Sequence, residues 1–132
     1  MLGIGLIIAL KDLINQYSPS PENLFINFQY YNIPQNIDKD TELQLYRIVQ
    51  ETLNNALKYA DAEEILIQIN GEVDGVSLLI EDDGKGFDIT QKYEGNGLQN
   101  IHKRAIYLDA QLNIKSDKKG TSVFIFCPIN AE

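Results

Sequence analysis

The stretch TELQLYRIVQETLNNALKYA, residues 41–60, decides the fold because its apolar side chains recur at the spacing of an α-helix. We expect Asp40 or Thr41 to cap this helix. On a helical wheel, one side carries the apolar residues Leu45, Val49, Leu53, Ala56, Leu57 and Ala60. The other side carries a polar stripe made of Arg47, Glu51, Asn55 and Lys58. The helix is therefore expected to cover a hydrophobic core and to present an acid, an amide and cations along one line.

The polar stripe has two interpretations. A solvated helix face stabilised by i,i+4 pairs would show the same pattern. In the functional interpretation, a carboxylate takes a proton or orients a nucleophile, an amide oxygen suits Mg²⁺, and an ammonium group neutralises a phosphate. The helix alone does not decide between them.

The rest of the chain alternates between helices and strands. Predicted helices cover residues 2–16 and 98–108, and predicted strands cover 24–31, 65–70, 76–81, 112–116 and 121–127. A loop of about five residues, 71–75, joins the first hairpin. Because helices interleave with strands that are joined mainly as hairpins, we expect a mixed sheet with helices on one face. This is an α+β fold, a two-layer α/β sandwich.

Composition and charge exclude several classes of function. The chain has 132 residues, which is typical of one domain, and its 11 basic and 19 acidic residues give a net charge of −8. An acidic surface repels nucleic acid, so we expect no nucleic-acid partner. One cysteine, Cys127, and one histidine, His102, provide neither an internal disulfide nor a Cys/His zinc site. An anionic ligand would need local cations, backbone amides or a metal ion.

Three glycine-containing segments lie beside predicted strands and helices. DDGKGF (82–87) follows a strand, GNG (95–97) precedes a helix, and GT (120–121) opens the last strand. Glycine lets a backbone approach a ligand closely, and amides at a helix N-terminus bind phosphate. Each segment alone is also explained by an ordinary turn, and the acidic one lacks the spacing of an EF-hand calcium loop. Their order and spacing as a set carry more information than any one of them.

Together these segments resemble the ATP-binding catalytic domain of sensor histidine kinases, whose Bergerat-type fold is shared with gyrase, Hsp90 and MutL. YRIVQETLNNALKYA (46–60) resembles the N box of this family. DDGKGF resembles its first glycine box, GNGL (95–98) its second and GTS (120–122) its last. The resemblance covers residues 22–129. It implies a protein histidine kinase, an ATP-dependent phosphotransferase that uses ATP and Mg²⁺.

The resemblance implies roles for three residues of the N box. Asn55 would ligate the Mg²⁺ that bridges the ATP phosphates. Glu51 would be the catalytic residue that orients or deprotonates the attacking histidine. Lys58 would act beside it by holding the phosphates.

The glycine boxes would bind the rest of the nucleotide. Asp82 would accept a hydrogen bond from the adenine amino group, with Thr121 supporting it directly or through water. Gly84 and Gly86 would line the adenine pocket. The phosphates would be held by the amides of the second box, those of Gly95, Gly97 and Leu98.

Two features distinguish the chain from the general pattern of the family. Only residues 87–96 separate Gly86 from Gly97, so the lid is short and resembles that of the subclass related to nitrate- and membrane-temperature-sensing kinases. The acceptor histidine of the family lies on a dimerising helical hairpin upstream, whereas His102 lies downstream of the second glycine box. The phosphoacceptor is therefore expected outside this chain.

The resemblance thus implies a piece of a longer kinase. Residues 1–20 would be the end of the upstream dimerisation and phosphoacceptor helix with its linker, and residues 21–132 the ATP-binding catalytic domain. The expected partners are that phosphoacceptor domain and a response regulator. The parent would be a homodimer with this domain in the cytoplasm, and the fragment alone a monomer.

Two alternative functions stay open at this point. An anti-sigma-factor serine kinase has this fold and size, but residues 1–16 favour a helical tail over the opening strand that it would need. A non-catalytic module would bind a nucleotide or a partner without phosphotransfer. The joint presence of Glu51, Asn55 and Asp82 argues against that second alternative.

Overall fold

The computed structural model describes residues 2–17, 25–57, 63–84 and 97–129. Within these residues the helices are α1 (Leu2–Tyr17), α2 (Lys39–Asn55) and α3 (Gly97–Tyr107). The strands are β1 (Phe25–Tyr31), β2 (Glu64–Glu72), β3 (Gly75–Asp82), β4 (Gln111–Asp117) and β5 (Gly120–Pro128). They form one sheet in the order β1-β2-β3-β5-β4, in which β1 is parallel to β2 and every other pair is antiparallel. This mixed sheet confirms the predicted α+β fold.

Alternation along the central strands places one row of side chains in the core. The buried row consists of Ile65, Ile67 and Ile69 of β2, Val76, Leu78 and Ile80 of β3, and Val123, Ile125 and Cys127 of β5. Helix α2 contributes Leu45, Val49 and Leu53 to the same core, as the wheel predicted, together with Ile48 and Thr52, which it did not predict. The buried hydroxyl of Thr52 donates to the carbonyl of Ile48 at 2.7 Å, so it carries no unpaired polar group into the core.

Helix α1 packs an apolar face against the same core. Its buried side chains are Leu6, Ile7, Leu10, Leu13 and Ile14. Burying each such side chain is worth about 1.5–3 kcal/mol, so this contact seats α1 firmly on the domain. Two polar contacts add to it, from Lys11 Nζ to the Tyr30 hydroxyl at 3.1 Å and from the Tyr17 hydroxyl to Asn54 Oδ1 at 2.6 Å. The assignment of residues 1–20 to an upstream helix stays a prediction.

The N-terminus of α2 is capped by a residue that sequence analysis did not choose. Asp38 is the N-cap, and its Oδ1 accepts the backbone N–H of Thr41 at 2.7 Å. The prediction of Asp40 or Thr41 was wrong, because the helix begins at Lys39 and both residues already lie in its first turn. The hydrogen bonds to the carboxylate lower the pKa of Asp38. A cap of this kind typically contributes about 1 kcal/mol.

Within the described residues, the C-terminal end of α2 departs from regular α-helix. Its α-helical residues end at Asn55, and Ala56 and Leu57 form a wider, π-type turn. Turns of this kind inside or beside helices are frequent at functional sites. The predicted end of the helix at Ala60 lies outside the described residues.

The hairpin between β2 and β3 is tighter than predicted. Glu72 pairs with Gly75, so only Val73 and Asp74 form the turn instead of the whole stretch 71–75. Gly71 and Glu72 still belong to β2, because Gly71 pairs with Val76 and Glu72 with Gly75. The backbone groups of these polar positions are thereby satisfied within the sheet. Among the described residues, no helix combines the length and apolar character needed to cross a membrane.

Candidate functional site

Those predicted site residues that the structure describes lie at one end of the sheet. β3 ends at Asp82, which pairs with Thr121 at the start of β5 and with Ile65 near the start of β2. Strand β1 is parallel to β2, so it finishes at the opposite end of the sheet, and α2 begins there. Helix α2 runs back along the sheet, so its last turns, with Glu51 and Asn55, lie at the same end as Asp82. Helix α3 begins here as well. The order of elements therefore assembles residues that are far apart in the sequence.

Asp82 is held by two backbone amides. Its Oδ1 accepts the N–H of Gly84 at 2.9 Å and the N–H of Thr121 at 3.3 Å. Both bonds use the same oxygen, and within residues 2–17, 25–57, 63–84 and 97–129 no hydrogen bond is made to Oδ2. Burial raises the pKa of Asp82 above its ordinary value, and the nearby charge of Asp83 raises it further, while the two amide hydrogen bonds oppose the shift. The side chain is thus fixed in orientation and partly removed from water.

Gly120 lets the chain pass close to Asp82. Its φ is +146°, and a Cβ built on it would lie 2.0 Å from the carbonyl oxygen of Asp82. Any larger residue would displace that backbone, so glycine is required for packing here as well as for the turn. The next residue, Thr121, is buried and contacts Asp82 through its amide, while its hydroxyl lies 2.8 Å from Ser116 Oγ. Thr121 thus contacts Asp82 through its backbone, and its part in adenine binding stays a prediction.

Asp83 has a structural role that sequence analysis missed. Its Oδ1 accepts the N–H groups of Glu63 and Glu64, both at 2.9 Å, and these bonds lower its pKa. It thereby ties the end of β3 to the start of β2. The alternation of side chains along β3 could have indicated this role. It places Asp82 on the core side with Ile80, and Asp83 follows after the strand has ended.

Helix α2 presents Glu51 and Asn55, both half-buried. Glu51 Oε1 accepts a hydrogen bond from Asn100 Nδ2 of α3 at 3.2 Å. The neighbour Asn54 is exposed, and its Oδ1 accepts a hydrogen bond from the Tyr17 hydroxyl. No sequence pattern indicated the contact between Glu51 and Asn100, because 49 positions separate the two residues.

The second glycine box is described only at its end. Gly97 is the first residue of α3 and Leu98, which follows it, is half-buried. Three predicted site residues, Lys58, Gly86 and Gly95, lie outside the described residues. The structure therefore joins Asp82, Gly84 and Thr121 directly, and places the other described site residues at the same end of the fold.

Two of the cavities lined by described residues lie at opposite ends of the sheet. One, of ≈ 410 Å³, adjoins the predicted site and is lined in part by Asp82, Thr121, Lys115 and Lys119. The other, of ≈ 500 Å³, is lined in part by Asp38, Asp40, Tyr107 and Cys127. None of the predicted site residues lines the larger cavity. The smaller cavity includes Asp82 and Thr121 but is not lined by Glu51, Asn55 or Leu98, so it covers only part of the predicted site.

Comparison with known proteins gives a family match and named relatives. The sequence profile described as "Histidine kinase-, DNA gyrase B-, and HSP90-like ATPase" matches residues 40–131. The signal transduction histidine-protein kinase/phosphatase DegS of Brevibacillus brevis is 33% identical over 131 residues, covering 98% of this chain and 34% of that protein. The sensor protein VraS of Staphylococcus epidermidis is 30% identical over 127 residues, covering 94% of this chain and 35% of that protein. The chain therefore spans about a third of the length of these relatives.

Solved structures show the same architecture. The histidine kinase domain of the Erythrobacter litoralis EL346 blue-light activated histidine kinase is 26% identical with a TM-score of 0.66, covering 96% of this chain and 64% of that one. The Acinetobacter baumannii histidine kinase AdeS is 18% identical with a TM-score of 0.70, covering 96% of this chain and 62% of that one, and shows the fold alone. Fold, motif order and profile agree, and the chain belongs to the family of histidine kinase-, DNA gyrase B- and HSP90-like ATPases.

Proposed function

We propose that this chain is the ATP-binding catalytic domain of a two-component sensor histidine kinase. In the longer protein it transfers the γ-phosphoryl group of ATP to a histidine outside this chain, for relay to a response regulator. The observation that carries the proposal is the fixed carboxylate of Asp82 at the same end of the fold as Glu51 and Asn55. The sensor kinases among the relatives support it.

Asp82 supplies the recognition of adenine. Two backbone amides occupy its Oδ1, so Oδ2 is left to accept the adenine amino group. A carboxylate accepts and does not donate, which suits a ring edge that presents an N–H donor. Partial burial strengthens this hydrogen bond because water competes for it less. Gly84 and Gly86 complete the pocket around the base.

Asn55 supplies a ligand for Mg²⁺. Among the residues that the structure describes, no group of three or more His, Cys, Asp or Glu side chains could hold a metal ion. One amide oxygen together with phosphate oxygens and water is a donor set that fits Mg²⁺, which usually keeps few protein ligands. When bound, the ion would neutralise charge on the phosphates. Lys58 and the amides of Gly95, Gly97 and Leu98 would hold the phosphates against the net negative charge of the protein.

Glu51 acts on the incoming histidine. Its carboxylate lies on α2, one helical turn before Asn55, so a group that accepts a proton stands beside the residue assigned to the metal. A general base must come within hydrogen-bond reach of the proton that it takes. Positioning and electrostatic stabilisation account for most of phosphoryl-transfer catalysis, and these residues serve both.

As the pH is lowered, ATP binding should begin to weaken at a higher pH than it would if Asp82 had the ordinary pKa of an aspartate. Burial raises the pKa of Asp82, and the adenine contact needs its carboxylate, so affinity falls as the pH drops through this raised pKa. The effect on stability has the opposite sign, because the folded state binds this proton more tightly than the unfolded chain does. Calorimetry from neutral pH downward gives the affinity, and carbon NMR of the Asp82 carboxyl gives the midpoint. A midpoint at or below the ordinary value would contradict the prediction.

The decisive experiment follows phosphate from ATP to protein. Calorimetry with a non-hydrolysable MgATP analogue tests binding by the chain itself. The longer kinase, with its upstream helical hairpin, is then incubated with γ-labelled ATP, and the labelled product is treated with acid. We expect acid-labile label on an upstream histidine. Acid-stable phosphoserine on a partner protein would favour the anti-sigma-factor type of kinase instead, and no binding by the folded chain would refute the proposal.

We also propose the partners, the oligomeric state and the cellular location of the longer protein. Its partners are its own phosphoacceptor domain and a response regulator, and dimerisation through the upstream hairpin makes the parent a homodimer. Use of ATP places this domain in the cytoplasm. The net charge of −8 argues against a nucleic-acid partner.

A further inference from the structure

Helices α2 and α3 are joined by a ladder of side-chain hydrogen bonds. The three rungs run from Asn100 Nδ2 to Glu51 Oε1 at 3.2 Å, from Arg104 Nη1 to Gln44 Oε1 at 2.8 Å, and from the Tyr107 hydroxyl to Asp40 Oδ2. As residue numbers rise along α3, those of their partners fall along α2, so the helices run antiparallel. Only the first rung involves a residue assigned to catalysis.

The rung between Asn100 and Glu51 differs from the other two in its place, and it shares its half-buried surroundings with the rung between Arg104 and Gln44. Both of its residues are half-buried, whereas the rung between Tyr107 and Asp40 is exposed. Asn100 lies three residues after Gly97, in the first turn of α3. Its amide donates to Oε1 of Glu51, and among the described residues no hydrogen bond is made to Oε2, which can accept a proton. A donor without charge can orient a carboxylate in this way without neutralising it.

We propose that Asn100 is a positioning residue that holds the Glu51 carboxylate in the orientation needed for phosphotransfer. The inference rests on the proposed function and deepens it. A glutamate side chain has three rotatable bonds, so without a fixed partner it spends only part of its time in the productive rotamer. A hydrogen bond from a packed helix limits that freedom. Its loss should lower the rate of transfer and leave the nucleotide contacts intact.

The same rung couples the base to the nucleotide. Asn100 belongs to the first turn of α3, whose N-terminal amides at Gly97 and Leu98 are the ones proposed to hold the phosphates. When phosphates fix this helix end, they also fix the donor that orients Glu51. The base is therefore best aligned while ATP is bound.

A double-mutant cycle in the longer kinase tests the inference. The four proteins are the wild type, Asn100→Ala, Glu51→Gln and the double variant, and each is measured for analogue affinity and for the rate of histidine phosphorylation. We expect Asn100→Ala to keep the affinity within about twofold and to lower kcat about tenfold, the size expected for one hydrogen bond to a charged group. Because Asn100 acts through Glu51, the double variant should be no slower than Glu51→Gln alone.

Three further proteins separate positioning from structure. Asn100→Asp keeps the shape of the side chain but replaces the donor with a like charge, so kcat should fall at least as far as in Asn100→Ala. Asn100→Gln retains an amide donor and should recover part of the rate. Gln99→Ala, the exposed neighbour on α3, is the matched control and should behave as the wild type does. Circular dichroism checks that each variant is folded, and Asn100→Asp serves if Asn100→Ala does not fold.

The outcomes distinguish this inference from the proposed function. If the wild type neither binds the analogue nor labels a histidine, the proposed function itself fails. If the wild type transfers phosphate and Asn100→Ala keeps the full rate or exceeds it, only the positioning role is overturned. Equal slowing by Asn100→Ala in the wild-type and Glu51→Gln backgrounds would overturn it too, because that is the behaviour of a purely structural contact.

Discussion

Replacing Asp82 with asparagine should abolish ATP binding and leave the protein folded. Oδ1 of residue 82 accepts two backbone N–H groups, from Gly84 and Thr121. An asparagine oxygen can take over both of these bonds, which places its NH₂ group where Oδ2 stood. That group is a donor, and so is the adenine amino group, so an attractive contact becomes a repulsive one. Losing a hydrogen bond to a charged acceptor and leaving a donor unpaired should weaken binding about 100-fold or more.

The stability of the Asp82→Asn protein should be equal to or higher than that of the wild type at neutral pH. Burial raises the pKa of Asp82, so keeping it ionised at neutral pH costs folding free energy, and a neutral amide of the same shape removes that cost. Calorimetry with the MgATP analogue and thermal unfolding measure the two effects on one sample. Asp74→Asn, in the exposed turn at the far end of the sheet, is the control for charge. Binding within threefold of the wild type would contradict the adenine role of Asp82.

The sequence predicted the structure correctly where local periodicity determines it. The spacing of Leu45, Val49 and Leu53 fixed the buried side of α2, and alternation located all five strands to within a few residues. The order and spacing of the glycine segments then indicated the family. These signals are local, or repeat along one element, and no tertiary contact is needed to recognise them.

The contacts that set the site's geometry could not be read in this way. Gly120 and Asp82 are 38 positions apart, and only the antiparallel pairing of β3 with β5 brings them together. The choice of Asp38 over Asp40 as the cap of α2 depends on where the loop before the helix turns. The contact from Asn100 to Glu51 depends on how two helices pack on one sheet. A residue type and a spacing suggest such roles, but tertiary packing assigns them.

Replacing Gly120 with alanine should strongly destabilise the protein. The φ of +146° is one that L-residues rarely adopt, and the new methyl group would lie 2.0 Å from the Asp82 carbonyl oxygen and 3.0 Å from its carbonyl carbon. Both groups belong to paired strands, so neither can move without breaking ladder hydrogen bonds. We expect the free energy of unfolding to fall by about 3 kcal/mol or more. Chemical denaturation of the two proteins measures this difference directly.

Gly5→Ala is the matched control, because the same methyl group should there have the opposite effect. Gly5 lies within α1, and an added Cβ would meet only Glu42 oxygens, at 3.7 and 3.8 Å, which are ordinary contact distances. Alanine in a helix interior is favoured over glycine by up to about 1 kcal/mol, so this variant should be more stable. Folded Gly120→Ala protein should also bind the ATP analogue more weakly, since displacing the Asp82 carbonyl disturbs the amide of Thr121 that orients its carboxylate. Equal stability of Gly120→Ala and the wild type would show that the close approach of Gly120 to Asp82 does not hold the site together.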